Sequence, residues 1–388
     1  MPHATSSNIT VTPLEHGPES KVNFGATITG VDLNDLDEPS FQAIREAIYR
    51  HNVVVVRDQH ALHPTKQFEF MSRLDPAAPA KHSWLPDIDV EDVAGTTGKG
   101  HWLSIPGATG ILVVGNGYQG NDHFGMKDTT IKATGHAKFH VEPLPKEEID
   151  KGQTRFGYFH YDGIIHGSHP SRVTSLRCFR APKGPDVTIR WDDGTGRTMK
   201  AQAGCTAFIS CAQLYDLLTD EEKKMAENSY WEPAPHPFVW VGNRKFRNSG
   251  LGMAPGGDTV PLDKLPPWKA EDVHKYPMVW LNPVTGEKIF MILPDVVRKL
   301  YKKASPDAEV EVVESLDDIH AWLNDILDRI CTPEYVAVPR YEEGDIVFFN
   351  NWGVLHSGIE YPDSYGTRTM HQCHIASSTP PVGPVPIA

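Results

Sequence analysis

The chain has 388 residues and a net charge of −13, with no run of Lys or Arg long enough to follow a phosphate backbone, which argues against a nucleic-acid partner. Its five cysteines (Cys178, Cys205, Cys211, Cys331, Cys373) form no Cys-x-x-Cys pair and are odd in number, so they read as reduced intracellular thiols rather than a disulfide framework. The first residues lack a basic segment leading into an apolar run, and no apolar stretch approaches membrane-spanning length; a soluble, cytoplasmic protein of one enlarged domain or two is expected.

Residues 1–20 are polar and read as a flexible N-terminal arm. Small and apolar residues alternate over 22–33, as in an early strand. Residues 40–50 carry apolar side chains at helical spacing behind Ser40 as N-cap. Val53-Val54-Val55-Val56 is a buried strand, and Pro64 opens a second amphipathic helix that ends near Asp75-Pro76. Residues 76–145 are rich in Gly, Pro, His and Asp, with one apolar strand at 111–114. The crowding there of Tyr118, Gln119, Asn121, His123 and Lys127 suggests a lid or substrate wall.

Beyond it, strands are expected at 173–179 and 206–210, with a hairpin over 187–200 between them. Helices follow at 212–218 and from 220, the second capped by Thr219. The run Pro283-Val284-Thr285-Gly286 joins two apolar strands as a hairpin, 316–330 is an amphipathic helix, and strands at 335–338, 346–349 and 367–375 complete the chain. Many strands interrupted by few helices, without regular βαβ alternation, point to an antiparallel sandwich or jelly roll with helices packed outside.

One stretch carries chemistry. In Phe159-His160-Tyr161-Asp162-Gly163, alternation along a strand puts His160 and Asp162 on one face, where both can reach a single metal ion, and turns Tyr161 away. Two histidines and one carboxylate leave open positions on Fe(II), so the missing partner would be a distant histidine. The spacing alone is weak: with 19 His and 50 acidic residues, roughly two His-x-Asp/Glu matches arise by chance. His140-Val141-Glu142 is a second.

The surroundings decide. In order along the chain, the opening at residues 24–33, the strand at 52–58, His160-x-Asp162, the hairpin at 282–288 and the stretch from Gly344-Asp345-Ile346-Val347 through His356 to Arg368 resemble the TauD/TfdA family of Fe(II)/2-oxoglutarate-dependent dioxygenases. The resemblance implies a mainly β fold with some α: a double-stranded β-helix (jelly-roll or cupin-like) core with flanking helices and long insertions, in a single domain over residues 21–388. It implies His160, Asp162 and His356 as ligands of Fe(II), with 2-oxoglutarate and O2 as the other reactants. Arg368, twelve residues after His356, matches the arginine that grips the far carboxylate of 2-oxoglutarate, a task for a planar guanidinium. Thr206 matches the threonine that assists it, with the 187–200 hairpin looking like an insertion ahead of it.

Two departures bear on substrate. Phe349-Asn350-Asn351-Trp352 stands where the family often has Trp-Asp-Asn-Arg, and Gln372 stands where taurine-type members carry a second arginine. A sulfonate is thereby disfavoured, and a neutral or zwitterionic metabolite suits Gln372 better. Within the family the likeness is closest to fungal xanthine dioxygenases, notably at residues 184–194, 283–288 and 381–387, although His374 replaces an asparagine there. Gln372, His374, Ile346, Phe348 and Tyr161 are the candidate substrate contacts, Ile346 and Phe348 as an apolar wall. The expected reaction is oxidation of an unactivated C–H bond in an aliphatic amino acid such as L-valine, by hydroxylation or aziridine formation in fungal specialised metabolism. Alternatives are xanthine hydroxylation to uric acid, or a zinc hydrolase, isomerase or non-catalytic binder on the same fold. The partner expected is a small-molecule substrate, with no nucleic acid and no membrane; a homo-oligomer stays open.

Overall fold

A computed structural model describes residues 9–83, 103–133 and 135–387. Its backbone is one large sheet facing a smaller one. The large sheet runs in the order Thr10–Pro13, Ala26–Thr29, Val53–Val56, Ile346–Asn350, Val173–Arg180, Arg368–His374, Ala108–Tyr118, Leu103–Ile105. Its central pairings are antiparallel, with Ser175 opposite both Phe348 and Cys373. The smaller sheet places Thr206–Ser210 between Val336–Ala337 and Val354–Gly358, and a bridge between His160 and His356 brings the His160 segment against its edge. This is the mainly β, jelly-roll arrangement that the sequence predicts.

Two apolar layers hold it together. Phe208, Val347, Phe349 and Met370 form the inner layer, continuous with Phe156, Phe159, Tyr161 and Trp280 in one apolar cluster. On the outer face of the large sheet, the helices Glu38–His51 and Pro64–Leu74 bury Phe41, Ile44, Ile48, Phe70 and Met71 against Val54, Val56, Ile346 and Phe348. Each such aromatic or aliphatic side chain contributes about 1.5–3 kcal/mol by leaving water. Neither layer tolerates a polar replacement without a new partner.

Several local expectations change in detail. The first helix starts at Glu38, and Asp37 rather than Ser40 caps it, its carboxylate accepting from the Ser40 amide at 2.9 Å. Pro39 explains the earlier start, because its fixed φ and missing N–H suit the first turn. Part of the stretch read as a flexible arm pairs as an edge strand, Thr10 opposite Thr29, while residues 1–8 lie outside the described ones. Of the 76–145 region, 84–102 and 134 are likewise outside them. The remainder supplies an eleven-residue strand, Ala108–Tyr118, of the large sheet beside Arg368–His374. Thr219 does cap Asp220–Asn228, with Glu222 completing a capping box, and Val279–Leu281 pairs with Lys288–Phe290 as the hairpin predicts. No helix of the described residues is long and apolar enough to cross a membrane.

Candidate metal and cosubstrate site

The site lies between the two sheets, and strand alternation decides who enters it. On Arg368–His374, Met370 faces the inner layer and Cys373 the outer one, so Arg368, Gln372 and His374 share the inner face. Val173–Arg180 presents Thr174 on the same side, directly opposite His374. Across the gap, the bridge between His160 and His356 sets those two imidazoles side by side, ring centres 4.3 Å apart.

His160, Asp162 and His356 each offer one ligand atom, all within 4.8 Å of one another, the one such group among the described residues. His160 Nε2 is 3.7 Å from Asp162 Oδ1, and His356 Nε2 is 3.7 Å from Asp162 Oδ2. Burial holds both imidazoles far below their usual range, His160 to about 4 and His356 to about 3, so each presents a lone pair at neutral pH. Burial raises Asp162, opposed by His160 and the Thr174 hydroxyl. Two neutral nitrogens and one carboxylate converging away from water form a donor set that a divalent ion satisfies, with room for further ligands.

Around them sits a support that the sequence reading missed. Thr174 donates to Asp162 Oδ2 at 2.8 Å. Asn351 brackets the Asp162 backbone, accepting from its N–H at 2.8 Å and donating to its carbonyl at 2.9 Å and to that of Ser171 at 2.7 Å. The loss of the usual Trp-Asp-Asn-Arg motif therefore leaves a working amide in place. Tyr158 stacks on His160 at 4.4 Å, and Phe349 lies 4.7 Å from His356.

Arg368 lines a small cavity with Gly204, Cys205, Tyr341, Met370 and Cys178. Its Nε donates to the Gly204 carbonyl at 2.7 Å. Burial works against its charge, and the phenols of Tyr341 and Tyr361 favour it. Thr206, buried, stands 3.5 Å from the Tyr341 hydroxyl. Gln372 Oε1 and His374 Nε2 are buried without a partner, the latter 3.9 Å from Asp162 Oδ1.

Three expected substrate contacts do not reach the site. Ile346 and Phe348 point outward, Phe348 packing 4.6 Å from Phe70, because Val347 and Phe349 take the inner positions of that strand. Tyr161 is 1% exposed and packs on Trp280 at 5.5 Å, since it alternates with His160 and Asp162. The second motif, at His140, does not form a centre either: its Nε2 is taken by the Gly157 carbonyl.

A jelly roll that gathers two imidazoles and a carboxylate, with a half-buried arginine on the inner face of the same sheet, has the donor set of a mononuclear metal centre and a cationic group able to take an anion. Residues 10–374 match the family described as taurine catabolism dioxygenase TauD, TfdA. The chain is 38% identical over 395 residues to the alpha-ketoglutarate-dependent dioxygenase bsc9 of Alternaria brassicicola, covering 99% of this chain and 98% of that one. It is 35% identical over 379 residues to the alpha-ketoglutarate-dependent xanthine dioxygenase xanA of Emericella nidulans, covering 95% and 97%. A crystal structure of a taurine dioxygenase from Burkholderia xenovorans shares the fold with a TM-score of 0.55 at 17% identity, over 97% of this chain and 91% of that one. The chain belongs to the TauD/TfdA family and is an Fe(II)/2-oxoglutarate-dependent dioxygenase. That answers the zinc hydrolase and binding-protein alternatives.

Proposed function

We propose that the enzyme oxidises a C–H bond of a small metabolite whose polar end presents N–H donors, with an aliphatic amino acid such as L-valine as the foremost candidate. One observation carries this reading: Gln372 Oε1 and His374 Nε2 are unpartnered buried acceptors on the strand face that also bears Arg368. The Ser83 and Ser171 hydroxyls lie 3.0 and 3.3 Å from His374 Nδ1, and in the tautomer with the ring proton on Nδ1 the Nε2 presents a lone pair. Leu176 and Leu112 stand opposite Gln372 on either side, giving an apolar flank for a hydrocarbon body.

In this reading His160, Asp162 and His356 hold Fe(II), and Arg368 receives the far carboxylate of 2-oxoglutarate with its two terminal nitrogens while Thr206 and Tyr341 offer hydroxyls beside it. Bound there, Fe(II) with 2-oxoglutarate and O2 supplies the oxidising chemistry, 2-oxoglutarate leaving as succinate and CO2. Thr174 fixes the Asp162 carboxylate against rotation, and Asn351 holds the backbone that carries it. Gln372 and His374 orient the substrate's nitrogen end, so the reacting carbon is set by distance from that end. The inner aromatic layer excludes water from the oxidation.

Xanthine is the second reading, favoured by the relatives named xanthine dioxygenases and by its own ring N–H groups. Succinate release with L-valine, L-isoleucine, xanthine or no addition separates them. Stimulation by the amino acids supports the first reading and stimulation by xanthine the second. A preferred substrate without an N–H group refutes both.

A further inference from the structure

Behind the sheet, on the face away from the metal, a buried cation has no counter-charge among the described residues. Arg177 and His371 are direct cross-strand partners on Val173–Arg180 and Arg368–His374, and their side chains are 2% and 0% exposed. Arg177 Nη2 donates to the His60 carbonyl at 2.8 Å, but its Nε and Nη1 have no partner. Nor does His371 Nδ1. No carboxylate acts on the guanidinium among the described residues, and although burial lowers it to about 10, it stays charged at neutral pH.

The neighbours fix what could join it. Phe179 lies 5.3 Å from the guanidinium and stacks on His371, and Phe124 closes over His371 at 5.5 Å. His123 Nε2 meets His371 Nε2 at 2.8 Å, a hydrogen bond between two rings that burial keeps neutral. With His123 donating, the His371 proton sits on Nδ1 and becomes a free donor. The Gln67 amide nitrogen is spent on Ser175 Oγ and the His371 carbonyl, both at 3.0 Å. Its Oε1 is a buried acceptor without a partner, but a neutral one, so the positive charge stays unbalanced among three unspent donors and aromatic walls. A water molecule satisfies donors but not the charge, and an uncompensated buried charge is the costlier defect.

We infer that Arg177 Nε and Nη1, with His371 Nδ1, bind a small monovalent anion of the halide class between the large sheet and the hairpin bearing His123 and Phe124. The site carries a single formal charge, which excludes phosphate or sulfate as a balanced ligand. Its consequence is mechanical: the anion ties together the two strands whose inner faces carry Thr174, Arg368, Gln372 and His374.

The test uses the whole protein. In gluconate buffer of fixed ionic strength, exchanging gluconate for chloride should raise Tm saturably, and Arg177→Met should abolish the rise. Crystals grown in bromide should show an anomalous peak within hydrogen-bond distance of Arg177 Nε or Nη1. That peak decides the matter even if the variant fails to fold. No bromide peak with a flat Tm overturns the inference in favour of water, and a chloride effect that survives in Arg177→Met places it elsewhere and overturns it equally.

Discussion

Arg368→Lys keeps the charge and removes the fork, which makes it the sharpest probe of the cosubstrate end. In the protein the Arg368 Nε is committed to the Gly204 carbonyl at 2.7 Å. Its two terminal nitrogens are not needed for that bond, and Arg368 lines the small cavity together with Tyr341. A lysine ammonium can serve the carbonyl or the carboxylate, and it meets the carboxylate as a point rather than a pair. One charge-assisted hydrogen bond is lost, about 2 kcal/mol, or roughly a 30-fold rise in the 2-oxoglutarate dissociation constant. Anaerobic titration of the Fe(II)-loaded variant with 2-oxoglutarate measures it, alongside the steady-state KM. A constant within about twofold of the wild type, with Fe(II) binding intact, would refute the role given to Arg368.

Three further outcomes are expected. Thr174→Val removes the hydroxyl that Asp162 Oδ2 accepts at 2.8 Å; Fe(II) affinity should fall by about tenfold with the fold retained, since groups that orient a ligand carry about 10–100-fold, and direct metal titration checks this. Gly204 has φ +69°, and a Cβ there would lie 2.8 Å from Pro182 Cγ and 3.1 Å from Arg368 Cδ; Gly204→Ala should raise the KM for 2-oxoglutarate more than that of the substrate, and equal changes would count against it. Hydrogen bonds from Arg329 hold the Glu222 carboxyl down at about 2 from 4.5. A depressed carboxyl stabilises the fold above its unfolded pKa and loses that contribution as the pH falls from about 4.5 toward 2. Glu222→Gln should therefore flatten the acid limb of a stability-versus-pH curve, and an unchanged limb would show that the pair contributes nothing.

What could be read from the sequence follows a physical line. His160 and Asp162 were legible from a period of two, although the segment is not a strand: only His160 forms an isolated bridge and Asp162 opens a turn, with Tyr161 facing away from both. The helices showed through their apolar spacing. Ile346 and Phe348 misled because residues 346–349 are apolar at every position: a strand buried on both faces has no polar alternation to mark its phase, and only the fold reveals that Val347 and Phe349 look inward. Asn351 was visible as the one position of Phe349-Asn350-Asn351-Trp352 that keeps the family's residue, but its three hydrogen bonds depend on the approach of Ser171 and Asp162 from distant parts of the chain. Thr174 reads as an ordinary strand threonine until its partner carboxylate is placed above it. The outer-face cluster at Arg177 has no sequence signature, since it is assembled from four separate segments.

The strand Arg368–His374 has a consequence for how such an enzyme changes its chemistry over time. At about 3.4 Å per residue it works as a ruler about 20 Å long, with Arg368 at one end and Gln372 and His374 toward the other, all on one face. Under the proposed function, the positions that read the substrate are separable from the position that anchors the cosubstrate, yet their spacing is fixed by the backbone. Single substitutions at 372 or 374 can therefore retune what is oxidised while the oxidising apparatus stays in register, so that new substrates are reached by exchanging marks on the ruler rather than by rebuilding it.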